Sequence, residues 1–138
     1  MQPEVSPCTK ARTRVGKNWL VVNRIQSLLG VDYPVVQAPM TYLARAELAA
    51  AVSEAGGLGM IETLTAEGRA DLQRVRELTD KPVAANLMIQ GWKKDPSIVD
   101  RLAEAGVCHV FTSAGDPALF TARLHDAGMT VAHVVGSR

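Results

Sequence analysis

The chain has 138 residues, of which 47% are apolar and 21% are charged. That length suits one domain with a buried core, and the composition excludes an intrinsically disordered chain. Fifteen basic and fourteen acidic residues leave a net charge of +1, so the charge gives no reason to expect binding to nucleic acid or to an anionic membrane.

No segment of the sequence is suited to crossing a membrane or to directing secretion. A membrane span needs ~20 apolar residues, and the short apolar stretch 19–22 is too brief for a signal sequence. Cys8 and Cys108 lie outside metal-ligand spacing, and we interpret Cys108 as a small buried hydrophobic residue. We therefore predict a soluble cytoplasmic protein without a metal site.

The first predicted helix follows an irregular N-terminal segment. Residues 1–22 have no periodicity and include several basic residues, so we predict a disordered segment or extension there and a domain over 23–138. Asn23 is suited to cap the short helix RIQSLL, and Gly30 is suited to end it.

The rest of the chain repeats one structural unit. Gly56, Gly106 and Gly128 each follow an alanine at the end of a helical segment and precede an apolar run. Glycine is the residue expected in the left-handed conformation just after a helix. The predicted strands begin at intervals of 22 to 26 residues, near Val35, Leu58, Val83, His109 and Val131.

Amphipathic helices are predicted between these strands. A helix is also expected at Asp116-Pro117, where an N-cap acid precedes a first-turn proline. The apolar faces that we predict are Leu48, Ala49, Val52 and Ala55 in one helix, Leu72, Val75 and Leu78 in the next, and Ile98, Val99, Leu102 and Ala105 in a third that begins at Pro96.

Apolar strands that alternate with amphipathic helices predict a parallel sheet covered by helices. Two architectures fit this α/β pattern. A doubly wound open sheet is complete at about this length, whereas a (β/α)₈ barrel needs about 250 residues. Length alone therefore favours the open sheet.

Four strand ends, when they are taken together, favour the barrel over the open sheet. The segments VVQAPM (35–40), AGGLGMI (55–61), VAANLMI (83–89) and VFTSAGDP (110–117) occur in an order and at spacings that resemble the nitronate monooxygenase family. The resemblance extends from about Asn23 to Arg138. It implies an FMN-binding TIM barrel, of which this chain is a truncated piece with about five βα units.

The resemblance also answers why a proline and a methionine follow an apolar strand. Active sites of TIM barrels are built at the carboxyl ends of the strands. The resemblance implies that backbone groups of Ala38 and Met40 face the flavin, that Pro39 fixes the chain direction, and that the Met40 sulfur packs beside the ring. On the residues alone, a Met40 that plugs the barrel mouth is the simpler explanation.

The other site residues implied by the resemblance lie on the third and fourth predicted strands. A lone asparagine in a strand must bond a neighbouring backbone or serve a ligand, because an unpaired buried amide costs about 1–3 kcal/mol. The resemblance implies that Asn86 contacts FMN, as the equivalent asparagine of the family does. Thr112, Ser113 and Gly115 form a small, polar loop that allows a flat ligand close to the backbone. The same loop is also suited to cap the following helix.

The three histidines are weaker candidates for function. His109 and His125 are interpreted as structural or exposed residues. His133, on the last predicted strand, is a minor candidate for a position that points into the barrel near the flavin. The resemblance places the family's catalytic histidine and its phosphate site in later segments, so no catalytic residue is assigned here.

Three functional hypotheses remain open. The first is FMN-dependent oxidation of alkyl nitronates to a carbonyl compound and nitrite, as part of a longer enzyme, with a small-molecule substrate and oxygen as partners. The second is FMN-dependent reduction of an enoyl thioester. The third is a truncated, non-catalytic fragment, which we expect to be inactive alone and to self-associate through its open sheet edges.

Overall fold

The computed structural model describes residues 23–136, in which parallel strands alternate with helices. The strands are β1 (Gly59–Glu62), β2 (Val83–Met88), β3 (His109–Ser113) and β4 (Thr130–His133). The helices are α1 (Arg24–Leu29), α2 (Ala46–Glu54), α3 (Ala66–Leu78), α4 (Ile89–Trp92), α5 (Ile98–Glu104) and α6 (Thr121–Asp126), with a 3₁₀ helix at Pro117–Leu119. The disorder predicted for residues 1–22 lies outside the described residues.

The strands lie side by side in chain order, and every pair is parallel. The strand predicted at Val35 is reduced to a single bridge between Val36 and Leu58. It is held by the bonds Leu58 N–H to Val35 O, 2.9 Å, and Gln37 N–H to Leu58 O, 3.0 Å. A doubly wound sheet reverses its strand order at a switch point. The order here never reverses, so the open sheet favoured by length is not formed.

The predicted caps at Asn23, Gly30 and Asp116 are confirmed, whereas the helix predicted to begin at Pro96 begins at Ile98. The side chains of Asn23 and Gln26 form a reciprocal capping box at the start of α1, and Gly30 ends that helix with φ +67°. The Asp116 carboxylate accepts the Ala118 N–H at 2.9 Å and caps a 3₁₀ turn. The three other predicted helix-ending glycines are also left-handed, with φ +93° at Gly56, +67° at Gly106 and +81° at Gly128.

The helices cover one face of the sheet and bury the main core against it. The face predicted for α5 is confirmed. The core positions predicted for Leu48, Leu78 and Ala55 are wrong, because the two leucines are 37% and 44% exposed and Ala55 is also exposed. Helix α2 instead buries small residues, since its backbone lies against β1 and leaves no room for leucine. The main core includes Ala46, Ala49, Ile61, Leu72, Val75, Val83, Ala85, Leu87, Ile98, Leu102, Val110 and Leu124.

Gly59 shows how closely α2 approaches the sheet. A Cβ atom built on Gly59 would lie 1.9 Å from the backbone oxygen of Ala49. No L side chain fits there unless the helix moves away from β1. The packing of α2 against the sheet therefore requires glycine at position 59, the first residue of β1.

We expect Gly59→Ala to lower the free energy of unfolding by about 1–3 kcal/mol, because the added methyl group displaces backbone rather than a flexible side chain. Urea unfolding followed by circular dichroism measures this loss. Gly91→Ala is the matched control, since its Cβ would meet only Leu64 Cδ1, at 3.3 Å. Equal stability of the two variants would contradict the proposed packing.

A carboxylate of α3 holds the first turn of α2. Arg45 precedes α2 but makes no side-chain cap. The buried Asp71 carboxylate instead accepts the Ala46 N–H at 3.0 Å and the Arg45 Nε–H at 2.5 Å. Burial raises the pKa of Asp71, but the hydrogen bonds from Arg45 and Ala46, with the charges of Arg45 and Arg74, hold it below its ordinary value.

This lowered pKa predicts a pH-dependent stability. A carboxyl group whose pKa is lower in the folded state stabilises the protein above its unfolded pKa, about 3.9 for aspartate. That contribution disappears as the pH falls through the folded value. We expect Asp71→Asn to cost about 1–3 kcal/mol at pH 7 and progressively less below pH ~4. Urea unfolding over that pH range, with the exposed Asp100→Asn as control, measures the difference; a pH-independent cost would contradict it.

None of the helices in residues 23–136 is long and apolar enough to span a membrane.

Candidate functional site

The predicted site residues lie at the carboxyl edge of the sheet. Residues 38–40 follow the bridge that precedes β1, Asn86 lies near the end of β2, and Ser113 ends β3. Because the strands are parallel and in chain order, these segments come from successive units along one edge. The edge is the place where a parallel α/β sheet normally binds its ligands.

The strand register decides which side chains share the face opposite the helices. Asn86 pairs with Phe111, and Met88 pairs with Ser113. Asn86 also pairs with Glu62 on its other side. Side chains alternate along a strand, so these positions project away from the main core. A second, smaller core lies on this inner face and comprises Leu29, Val31, Leu58, Met60 and Ala84, with Val36 and Phe111 packed against it.

The Asn86 side chain is oriented by β3. Its Nδ2 donates to the Phe111 carbonyl at 2.9 Å and to the Ser113 hydroxyl at 3.4 Å. A carbonyl only accepts, so the nitrogen must face Phe111. Both hydrogen bonds of this side chain within the described part of the chain use Nδ2, which leaves Oδ1 as the acceptor for a ligand. Asn86 thus bonds a neighbouring backbone and can serve a ligand at the same time.

The loop 38–40 is exposed and is closed by a local turn. Ala38 and Pro39 are exposed, and Met40 is 36% exposed. The Met40 carbonyl accepts the N–H groups of Leu43 and Ala44 at 3.0 and 2.7 Å. The Met40 sulfur does not belong to either core cluster, so the Met40 side chain remains accessible to a bound molecule.

Thr112 and His133 lie on the opposite face from Asn86. Thr112 pairs with Leu87 of the main core and with His133. The Thr112 hydroxyl lies 2.8 Å from His133 Nδ1. The alternative that His133 points into the barrel is therefore wrong, because its register puts it on the helix side. Thr112 can reach a ligand on the inner face only through its backbone.

Gly115 allows a close contact, and the contacting group is a side chain of the protein itself. A Cβ on Gly115 would lie 2.5 Å from Ile89 Cγ2. The Gln90 N–H also donates to the carbonyl of Ala114, a residue with φ +52°, at 3.2 Å. The loop after β3 is therefore pressed onto the start of α4. Ala114 and Gly115 themselves remain exposed.

Glu62, which was not among the residues predicted from the sequence, is a buried carboxylate at the same edge. It is 2% exposed. Its Oε2 accepts the N–H groups of Leu64 and Thr65 at 2.8 and 3.1 Å, and its Oε1 accepts the Thr65 hydroxyl. These bonds shape the turn between β1 and α3, so Glu62 is a structural residue rather than a candidate acid. In the sequence, Glu62 is marked only as a single acidic residue at the end of an apolar strand.

The opposite edge of the sheet has a cavity of about 600 Å³, lined by the turns that lead into the strands. Arg76 crosses this region and donates to the carbonyls of Lys81, Ala105 and Gly106 at 3.1, 3.2 and 3.0 Å. One guanidinium group therefore ties two successive turns together. Its donors are directed at backbone, which favours a structural role for this edge.

The fold defined by these features is an arc of a (β/α)₈ barrel with a candidate ligand site at its carboxyl edge. The model of the nitronate monooxygenase family matches residues 23–135. The chain therefore belongs to the nitronate monooxygenase family.

Individual relatives include a nitronate monooxygenase and proteins that carry other names. A nitronate monooxygenase of Pseudomonas aeruginosa is 47% identical over 70 residues, which are 49% of this chain and 20% of that protein. A (3aS,4S,5R,7aS)-5-hydroxy-7a-methyl-1-oxo-octahydro-1H-indene-4-carboxyl-CoA dehydrogenase of Mycobacterium tuberculosis is 31% identical over 116 residues, 82% of this chain and 32% of that protein. The structure of FabK from Thermotoga maritima superposes with a TM-score of 0.74 at 34% identity, covering 85% of this chain and 38% of that one. The chain thus spans about a fifth to a third of these curated relatives.

Proposed function

We propose that this chain forms the first part of the FMN site of an enzyme that oxidises alkyl nitronates. The observation that carries the proposal is the placement of an exposed Met40 loop and an oriented Asn86–Ser113 pair at the same edge of a parallel sheet. The match to the nitronate monooxygenase family over residues 23–135 supports the chemistry. When bound, FMN would supply the redox chemistry for oxidation of the nitronate, with oxygen as co-substrate and a carbonyl compound and nitrite as products.

The residues present suit a flat, partly polar ligand. Asn86 Oδ1 would accept a hydrogen bond from a ring N–H, and the Ser113 hydroxyl would add a second polar contact. The exposed backbone at 38–40 would approach the ring edge, and the Met40 thioether would pack on its apolar part. Thr112 and Gly115 would contribute backbone groups only, because the Thr112 side chain bonds His133. These groups bind and orient the ring.

An alternative function is reduction or dehydrogenation of a CoA or carrier-protein thioester. The CoA-ester dehydrogenase of Mycobacterium tuberculosis aligns with 82% of this chain, which is a longer alignment than that of the Pseudomonas aeruginosa monooxygenase. Tyr42 and Leu43, 74% and 66% exposed beside the Met40 loop, would suit a larger apolar substrate. The site residues named above serve either reaction.

The first test is a titration of the 138-residue chain with FMN, followed by quenching of flavin fluorescence. We expect saturable binding and an affinity about tenfold weaker for Asn86→Leu, since the variant loses the Oδ1 acceptor and the orientation of Ser113.

Ser53→Ala is the matched control for that titration. Its hydroxyl makes two comparable bonds to backbone, with Pro82 O at 2.7 Å and Gly59 N at 3.0 Å, next to the turns at the amino edge. Equal affinity of both variants would contradict the site, and no saturable binding by the unchanged chain would contradict the proposal that these residues suffice to hold the flavin. The mass in solution, recorded alongside, tests self-association through the outer edge of β4.

An activity assay tests whether this chain is sufficient for either reaction. We expect the 138-residue chain with FMN to turn over neither an alkyl nitronate nor an enoyl thioester with NAD(P)H, because the catalytic histidine and phosphate site implied by the family lie in later segments. Oxygen consumption with a nitronate, and NAD(P)H oxidation with a thioester, measure the two rates. Nitronate turnover by this chain would show that it is catalytically sufficient, and thioester turnover would favour the alternative.

A further inference from the structure

Gln37 occupies the point at which the chain leaves the sheet. Its backbone N–H donates to Leu58 O at 3.0 Å and completes the bridge at Val36. In a parallel ladder the backbone carbonyl of Gln37 would next accept the N–H of Met60. Its side chain forms that contact instead, since Oε1 accepts the Met60 N–H at 3.4 Å and Nε2 donates to the Met60 carbonyl at 2.9 Å.

Because the side chain of Gln37 takes the place of its backbone carbonyl, the main chain leaves the sheet at Gln37. With its side chain bonded to Met60, Gln37 satisfies a buried peptide of β1 while its own carbonyl leaves the ladder. Met60 is 1% exposed, so water cannot take over those bonds without opening the sheet. Nε2 also lies 3.4 Å from the carbonyl of Ala38, the first residue of the exposed loop.

We propose that Gln37 is a positioning residue that sets where loop 38–40 crosses the carboxyl edge of the sheet. Its link to flavin affinity rests on the proposed function; its link to loop order does not. Glutamine is suited to this role because one side chain supplies a donor and an acceptor at the required reach. Glutamate would keep the acceptor only, and methionine would keep the length but neither polar group.

Gln26 provides a matched control within the same chain. It too bonds backbone with both ends of its amide, since Nε2 donates to Asp32 O at 2.6 Å and Oε1 accepts the Asn23 N–H at 3.0 Å. It belongs to α1, and Asp32 bonds the turn that enters β1. Gln26→Met therefore removes the same chemistry away from the loop.

The test compares amide hydrogen exchange in the unchanged chain, Gln37→Met, Gln37→Glu and Gln26→Met. We expect Gln37→Met to speed exchange at Met60, Leu43 and Ala44 by about tenfold more than Gln26→Met does, because the last two amides bond Met40 O. Gln37→Glu should restore protection at Met60 in part. Equal exchange at these amides in the two methionine variants would overturn the proposal.

FMN affinity, measured on the same proteins, separates this inference from the proposed function. A weakening of about tenfold in Gln37→Met, absent in Gln26→Met at equal thermal stability, supports the link to the ligand. Altered exchange in a chain that binds no FMN would support the role of Gln37 in ordering the loop and would count against the proposed function. Flavin affinity unchanged by Gln37→Met would overturn the link to the ligand.

Discussion

The register of β2 against β3 is the constraint on which the candidate site depends. It places Asn86 opposite Phe111 and Met88 opposite Ser113, so the asparagine amide can bond the next strand and remain on the inner face. A slip of β2 by one residue would turn Leu87 inward and place Asn86 on the side of the helices. The main core opposes that slip, because Val83, Ala85 and Leu87 are fully buried on the helix side.

The parts of the fold that depend on local chemistry could be predicted from the sequence. Asn23 and Gly30 bound α1 as expected because capping needs only the residue and its neighbours. The faces of α2 and α3 were predicted less well. Hydrophobic periodicity does not report how near a helix lies to its sheet, and the contact at Gly59 makes alanine and serine the buried residues of α2 while Leu48 is exposed.

The candidate site was predictable in its location but not in its detail. Parallel strands bring Asn86 and Ser113 to one edge, and the segments that resemble the family contain both residues. The face of the sheet on which Thr112 and His133 lie depends on the strand register. That register cannot be read from the sequence. Gln37 and Glu62 were missed because their bonds join segments that are distant in the chain or form a turn, and no spacing signals either one.

The Arg76 contact has a consequence for how independently the two edges of the sheet can change. By joining the carbonyls of two successive turns, it concentrates structural cohesion at the amino edge, where no candidate site residue lies. These two turns are thereby held together independently of the loops at the other edge. A change in a carboxyl-edge loop would therefore leave this connection between two neighbouring units in place.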